Sequence, residues 1–440
     1  MDDALKIECE WSGRLDAEND ISQASRGAIG ISVGDQWLTR LEDSWGNTVR
    51  NRLHASAHTL ACWLAGNWWR LRWEPETPAS LGDVDWRMSH SMASAGDGYC
   101  WPSILFASDG DTLAVASRAT RGRVLGPVRY LNEVNTRITG RAFESAIDAF
   151  LTLVLSRLHS EGFEKSELAG LWAEVLKERR NPELARERRL EAICGFDPGE
   201  APEEIIAMLV TDEAGLGGGA LEEVAAQGRG STAGMLNQIL SLASGGAAAS
   251  AVAFGGTLPE LAAKPEYEAE ARPWQRAAML ARLARQEWGF GSGPVTNARL
   301  ADLLGTREAI FHEVEKGPAP MPLLLRGANR KNADFYLSRA HPTSRRFAAS
   351  RLLGDHLFHS HGGRLIPATS AKTARQQFQR AFAQEFLCPF GALLEKVQTT
   401  QPDDDDIVEA AAHFNVSTRV VEATLVNKGE LDREALVWVA

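Results

Sequence analysis

Tryptophan is distributed unevenly along this chain, and the imbalance constrains its domain organisation. Nine of the 13 tryptophans lie within the first 101 residues. Large aromatic side chains are usually buried in a core, so this concentration indicates a separate N-terminal domain. A β-hairpin is predicted at SILFASDGDTLAVAS, where Asp109-Gly110 supplies a favourable turn. We assign an α+β domain to residues 1–132.

Two other segments of this domain have a clear periodicity. Apolar residues from Val49 to Leu64 recur at helical spacing, which predicts a helix. The stretch WWRLRW at 68–73 alternates between apolar and basic residues, as a strand does. Trp69, Trp73 and Trp101 could then form an aromatic platform for a ligand or a base, although core packing is the commoner role of clustered tryptophans.

Length, charge and cysteine content narrow the classes of function. A chain of 440 residues has room for two or three domains. Its 44% of hydrophobic and 24% of charged residues are typical of a folded protein and exclude wholesale disorder. The net charge of −11 argues against a general polyanion binder. Five scattered cysteines without a CxxC pair, and no apolar signal segment at the start, fit a reducing cytoplasm.

The middle of the chain is predicted to be helical. An apolar stripe begins at Phe143, and Pro202-Glu203-Glu204 marks a helix start, so residues 140–243 form a helical domain. Gly215 to Ala220 superficially fits a dinucleotide-binding glycine motif, but it follows a predicted helix and is interpreted as a helix–helix loop. Residues 230–259 carry no charge but have few large apolar side chains. We predict a Gly/Ala-rich linker over 244–268, and no membrane span.

The C-terminal third carries a family resemblance. Residues 345–389 begin RRFAASRLLGDHLF and end RAFAQEFLCP, and the chain continues with IVEAAAHFNVSTRVVEATLVNKGEL. Within this stretch, the positions that carry the resemblance are Arg346-Phe347, Gly354, Phe382-Ala383, Glu385 and Pro389. In order and spacing these pieces resemble the ImmA/IrrE family of bacterial zinc metallopeptidases over residues 271–433. The resemblance implies a zincin-like C-terminal domain, which we place at 271–440, in a chain that is α+β and mostly helical.

The resemblance breaks down at the catalytic motif. In an HExxH helix two histidines bind zinc and the glutamate is the general base. By the resemblance, this motif falls on Arg351 to Asp355, so that Arg351, Leu352 and Asp355 replace the first ligand, the base and the second ligand. The third ligand falls near Gln376 or Phe378. Arginine does not ligate a cation and leucine takes no proton, so we expect a pseudo-peptidase without a cofactor, in which Arg351 and Asp355 pair at i, i+4.

Two alternatives use other residues of the same region. A displaced zinc site of His356, His359 and Glu385 would make the chain an active zinc-dependent peptidase, although HSHGG resembles a helix end, where histidine favours the helix dipole. Seven basic residues between Arg326 and Arg351 surround a single acid. Of these, Arg326, Arg330, Lys331 and Arg345 are candidate contacts to nucleic acid or to a protein partner, as in a DNA-binding regulator; a solvated basic face is the simpler interpretation.

The combined prediction is a bacterial cytoplasmic regulatory or sensor protein. By resemblance, the ImmA/IrrE family acts in stress responses, mobile-element induction, toxin–antitoxin-like modules and phage defence. A non-catalytic relative is expected to bind a protein partner such as a repressor, a toxin or a defence effector. A homo-oligomer is compatible with the sequence, and catalysis stays open through the displaced histidine site.

Overall fold

The computed structural model describes residues 4–13, 20–122, 126–245, 250–253, 272–312, 318–327, 332–339, 341–358, 363–397 and 402–431. The chain divides into two compact units. The first comprises Met1–Ile206 with Ala371–Thr373, and the second Ala207–Ser370 with Ala374–Ala440. Helices and small antiparallel sheets occur in both, so the mostly helical α+β class is confirmed.

The strands of the first unit form antiparallel sheets. They are β1 (Leu5–Trp11), β2 (Arg26–Val33), β3 (Gln36–Trp37), β4 (Leu41–Asp43), β5 (Thr48–Arg50), β6 (Leu53–Ser56), β7 (Ile104–Ser108), β8 (Thr112–Ser117), β9 (Val128–Tyr130) and β10 (Val134–Thr139). Strand β2 pairs with β1, β3 and β6, while the orders β10-β8-β7 and β5-β4-β9 make up the other described sheets of this unit.

The helices of the first unit cover these sheets. They are α1 (Ile21–Ala24), α2 (Ala57–Gly66), α3 (Trp68–Trp73), α4 (Val84–His90), α5 (Gly140–Ser160), α6 (Glu167–Arg180) and α7 (Pro182–Ile193), with 3-10 turns at Ser80–Gly82 and Met92–Ser94. Helix α5 buries the predicted stripe that begins at Phe143, which confirms a helix there. It begins where the Thr139 side chain accepts a hydrogen bond from the Ala142 backbone N–H.

The predicted hairpin is confirmed. Strands β7 and β8 pair antiparallel on either side of Asp109-Gly110. The Asp109 carboxylate accepts hydrogen bonds from the backbone N–H groups of Asp111 at 3.0 Å and Thr112 at 2.6 Å. Gly110 takes a φ of 97°, a conformation that glycine adopts at no steric cost.

The strand predicted at 68–73 is wrong, because this segment is helix α3. The alternation of apolar and basic residues does not indicate a strand here, because the basic residues are buried together with the tryptophans. Arg70 donates to Glu74 at 2.7 Å and Arg72 to Glu144 at 2.7 Å, so polarity here marks ion pairs and not a solvent face. The helix predicted from Val49 also begins late, since β5 and β6 precede α2, which Ser56 caps.

The second unit carries one described sheet and the remaining helices. The helices are α8 (Glu203–Thr211), which crosses the boundary between units, α9 (Glu213–Leu216), α10 (Gly218–Gly228), α11 (Thr232–Ala243), α12 (Pro273–Glu287), α13 (Asn297–Leu304), α14 (Pro342–Phe358), α15 (Ala374–Leu387), α16 (Phe390–Val397), α17 (Asp404–Phe414) and α18 (Thr418–Lys428), with 3-10 turns at Arg229–Ser231 and Glu308–Phe311. Strands β11 (Ser250–Ala253), β12 (Leu323–Arg326), β13 (Asn332–Tyr336) and β14 (Leu365–Pro367) form an antiparallel sheet in the order β11-β13-β12-β14.

Two of the predicted segments are divided differently in the structure. The boundary between units falls inside 140–243, because α5 packs against strands of the first unit while α10 and α11 belong to the second. The predicted linker 244–268 contains strand β11, whose backbone pairs with β13; a backbone ladder needs no large side chains, so composition concealed the strand. Within the described residues, no helix has the length and apolarity that a membrane crossing requires.

Helices α14 and α15 approach each other closely at Gly354. A Cβ atom at this position would collide with the Phe382 ring, so only glycine fits the contact. Leu352, Leu353 and Phe386 are fully buried around this crossing. The close approach sets the distance across which polar side chains of the two helices meet.

Candidate functional site

A buried polar cluster lies between α14 and α15, beside the end of β14. We define it by its described members, which are Arg351, Asp355, Thr369, Arg375, Gln376 and Gln379. Arg351 and Asp355 are one turn apart on α14, so both project toward the facing helix. Their burial, at 7% and 0% exposure, requires that each charge be compensated inside the protein.

Arg351 is held by a carbonyl and a glutamine amide. Its Nη2 donates to the Thr369 carbonyl oxygen at 2.6 Å and also to Gln376 Oε1. Gln376 in turn accepts from the Thr369 backbone N–H at 2.9 Å and donates to the Pro367 carbonyl oxygen at 3.1 Å. Burial, followed by the charges of Arg380 and Arg339, holds the pKa of Arg351 well below its usual value.

Asp355 is held by the second arginine of the cluster. Its carboxylate accepts from Arg375 Nε at 2.7 Å and Nη2 at 3.1 Å, a two-bonded pairing. Gln379 Nε2 donates to the same carboxylate at 2.5 Å and to the Pro367 carbonyl oxygen at 2.9 Å. Burial acts to lower the pKa of Arg375, but the charge and hydrogen bonds of Asp355 have the larger effect and keep this pKa above its usual value.

The predicted ion pair between Arg351 and Asp355 is not the arrangement found. Each side chain bonds across to α15 instead, Arg351 to Gln376 and Asp355 to Arg375. Helix α15 offers a guanidinium and an amide at the adjacent positions Arg375 and Gln376, and these bond to the two α14 side chains. The cluster therefore links two helices and a strand, and is not confined to one face of α14.

Arg380 and Glu223 add further charges near the cluster. Arg380 follows Gln376 by one turn on α15, so the two lie on one face of the helix. Burial lowers the pKa of Arg380 to about 10, and Glu223 on α10 acts in the opposite direction. Glu223 is itself buried and also raises the pKa of Arg351 and Arg375 against their burial.

The positions that the resemblance aligns with the base and with the third ligand lie in different surroundings. Leu352 is fully buried in the apolar core and takes no proton. Of the two residues predicted near the third ligand position, Gln376 lies in the cluster, while Phe378 packs against Phe358 with ring centroids 4.6 Å apart. Within the described parts of the chain, no group of three His, Cys, Asp or Glu side chains is placed to hold a metal ion.

The displaced histidine site is only partly within the described residues. His356 Nδ1 accepts a hydrogen bond from Arg326 Nε at 3.1 Å, and burial, with the Arg326 charge, lowers the pKa of His356 to about 4. Glu385 accepts from Arg282 Nε at 3.0 Å. His359 and the neighbouring His361 lie outside the described residues. His356 and Glu385 therefore have separate arginine partners.

The predicted basic contact surface requires a correction. Arg345 donates to the carbonyl oxygens of Ile310 at 2.5 Å and Leu337 at 2.8 Å. Arg326 is 1% exposed and donates to His356 and to the Gly363 carbonyl oxygen. Both guanidinium groups are thus buried and hold loops to helices. Arg330 and Lys331 lie outside the described residues.

The predicted aromatic platform also requires a correction. Trp69 is buried, and its Nε1 donates to Glu178 at 2.7 Å; Trp101 is buried and donates to the Gly96 carbonyl oxygen at 2.9 Å. The ring centroid of Trp73 lies 3.8 Å from the Arg72 guanidinium and 4.2 Å from the Arg189 guanidinium. These three rings contact other groups of the protein and belong to the core of the first unit or pack against it.

Sequence reasoning missed half of the polar cluster. Arg375 and Gln379 are spaced i, i+4 in RQQFQR, and Arg380 follows Gln376 at the same spacing. That pattern gives α15 two polar faces beside its apolar one, which is an available signal for a buried network.

Comparisons of the chain with protein-family models, curated proteins and solved structures find no match. The chemistry of the site therefore follows from its own residues. The three positions that the resemblance aligns with zinc ligands carry other groups. They are the Arg351 guanidinium, the Gln376 amide and the Asp355 carboxylate, which accepts hydrogen bonds from Arg375 and Gln379. Such a set is suited to holding helices in register and to binding a polar ligand.

Proposed function

We propose that this chain is a bacterial cytoplasmic regulatory or sensor protein whose second unit is a non-catalytic ImmA/IrrE-like domain. One observation carries the proposal. Arg351 at the first ligand position is hydrogen-bonded to Gln376 near the third, so two positions that would share a metal bind each other directly. The second position, Asp355, is engaged by Arg375.

The missing base supports the same proposal. A zinc peptidase needs a carboxylate beside the metal to take a proton from the attacking water. Leu352 stands at that position and is part of the apolar core. A domain that keeps such a scaffold without a base would act by binding, so its proposed partner is a repressor, a toxin or a defence effector in stress, mobile-element or phage-defence control.

Metal content tests the non-catalytic part of the proposal. Protein purified without a histidine tag and incubated with zinc should retain far less than one zinc per chain after desalting, measured by elemental analysis. The matched control carries Arg351→His, Leu352→Glu, Asp355→His and Gln376→Glu together, and should gain zinc if the scaffold is that of the family. Stoichiometric zinc in the wild type, together with peptide hydrolysis abolished by chelation, would overturn the proposal.

A further inference from the structure

Three atoms of the polar cluster have unmet hydrogen-bonding capacity. Arg351 Nε, Thr369 Oγ1 and Gln379 Oε1 are buried and have no partner among the described residues. Buried polar atoms are almost always satisfied by protein, water or a ligand. The three residues are joined by one hydrogen-bond network, because Arg351 bonds to the Thr369 carbonyl and to Gln376, and Gln376 and Gln379 both donate to the Pro367 carbonyl oxygen.

The charges around these atoms are predominantly positive. Arg351, Arg375 and Arg380 are offset by Asp355 and Glu223, and Asp355 is engaged on both oxygens by Arg375. The charge of Arg380 disfavours that of Arg351, since like charges in a low-dielectric interior repel strongly. An anion placed here would relieve the repulsion and accept the unmet N–H of Arg351.

The unmet atoms also select the kind of anion. Arg351 Nε is a donor, the Thr369 hydroxyl can donate or accept, and Gln379 Oε1 is an acceptor, because Gln379 Nε2 is fixed by its bond to the Asp355 carboxylate. A sulfate ion offers acceptors only. A hydrogen phosphate offers acceptor oxygens and one P–OH donor, which matches both kinds of atom.

We propose that the polar cluster is a binding site for a phosphate group, held by Arg351 and Thr369 and bonded through its hydroxyl to Gln379. Arginine forks match phosphate oxygens in geometry as well as charge. Arg380 is half-buried and Arg339 is exposed, and the positive charges of both act on Arg351. This inference rests on the proposed non-catalytic function, because it assigns phosphate to the place that a zinc ion would otherwise take.

Thermal unfolding of the full chain at constant ionic strength tests the site. Inorganic phosphate should raise the unfolding temperature saturably, and sulfate should bind about tenfold more weakly, since it lacks the hydroxyl. Methyl phosphate and inorganic phosphate, titrated in parallel by calorimetry, distinguish an esterified ligand from the free ion. Arg351→Gln should weaken phosphate binding about tenfold or more. Arg282→Gln, at an exposed arginine outside the polar cluster, should leave it unchanged.

Two results would overturn the inference. Equal, unsaturable stabilisation by phosphate and sulfate would indicate a general salt effect, and a crystal grown in phosphate with only water beside Arg351 Nε would assign that atom to hydration. Should Arg351→Gln fail to fold, Thr369→Val tests the same contact in a neutral residue. Stoichiometric zinc would refute both this inference and the proposed function, whereas absence of both zinc and a phosphate response would refute this inference alone.

Discussion

His356 is the residue whose ionisation is most directly constrained by its surroundings. Its Nδ1 accepts from Arg326, and an accepting ring nitrogen cannot carry a proton. Burial and the Arg326 charge lower its pKa to about 4, against about 6.5 in the unfolded chain. Protonation therefore favours the unfolded state at any pH between these two values.

Stability should consequently depend on pH through His356. Its contribution is fully present above pH about 6.5 and is lost as the pH falls toward 4, by up to about 3 kcal/mol. Urea unfolding of the wild type and of His356→Asn at pH 7 and pH 4.5 measures this effect, because asparagine offers an acceptor that does not titrate. The variant should lose less stability on acidification, and His413→Asn, at an exposed position, should behave as the wild type. Parallel pH dependence in wild type and His356→Asn would contradict the assignment.

At the scale of single elements, the sequence predicts those helices and turns that are determined by residues adjacent in the chain. The β7–β8 hairpin follows from Asp109-Gly110, and α5 from its apolar stripe, since both signals are contained in a few adjacent residues. The strand predicted for α3 is wrong because the buried Arg70 and Arg72 pair with carboxylates, the buried Glu74 and the partly exposed Glu144 on distant α5. In the polar cluster, the positions of Arg351 and Asp355 on one helix were predictable, but their partners depend on how α15 crosses α14.

That crossing depends on Gly354. Alanine there would place its Cβ against the Phe382 ring and force the helices apart, at a cost of about 1–3 kcal/mol in the free energy of unfolding. Denaturant unfolding measures this, and adding Phe382→Leu to Gly354→Ala should recover part of the loss by making room. Gly391→Ala is the matched control, because its Cβ would meet nothing within 4 Å, and alanine should stabilise helix α16 by about 0.4–1 kcal/mol. If Gly354→Ala left the free energy of unfolding unchanged, the close contact between the helices would be refuted.

At the scale of the whole molecule, the candidate residues of the two units differ in what they contact. The described tryptophans of the first unit are mostly buried, and the three predicted to form a platform are occupied by the protein's own groups. The second unit holds a cationic interior cluster with unmet bonds at Arg351, Thr369 and Gln379. We therefore assign the proposed phosphate group to the second unit and no ligand to the aromatic residues of the first.

If the chain regulates by binding, its effect in cells should not require proteolysis. A bacterial strain lacking the gene, complemented with wild type or variants, would be challenged with phage and with oxidative stress, while co-expressed candidate repressors are followed by immunoblot. Wild type should restore the phenotype with the repressors intact. Arg351→Ala should lose the effect because the bond from Arg351 to Gln376 across α14 and α15 is removed, and Arg282→Ala should retain it because Arg282 is exposed. Accumulated repressor fragments in the wild type, or full activity of a folded Arg351→Ala, would show that the chain works by other means than the polar cluster.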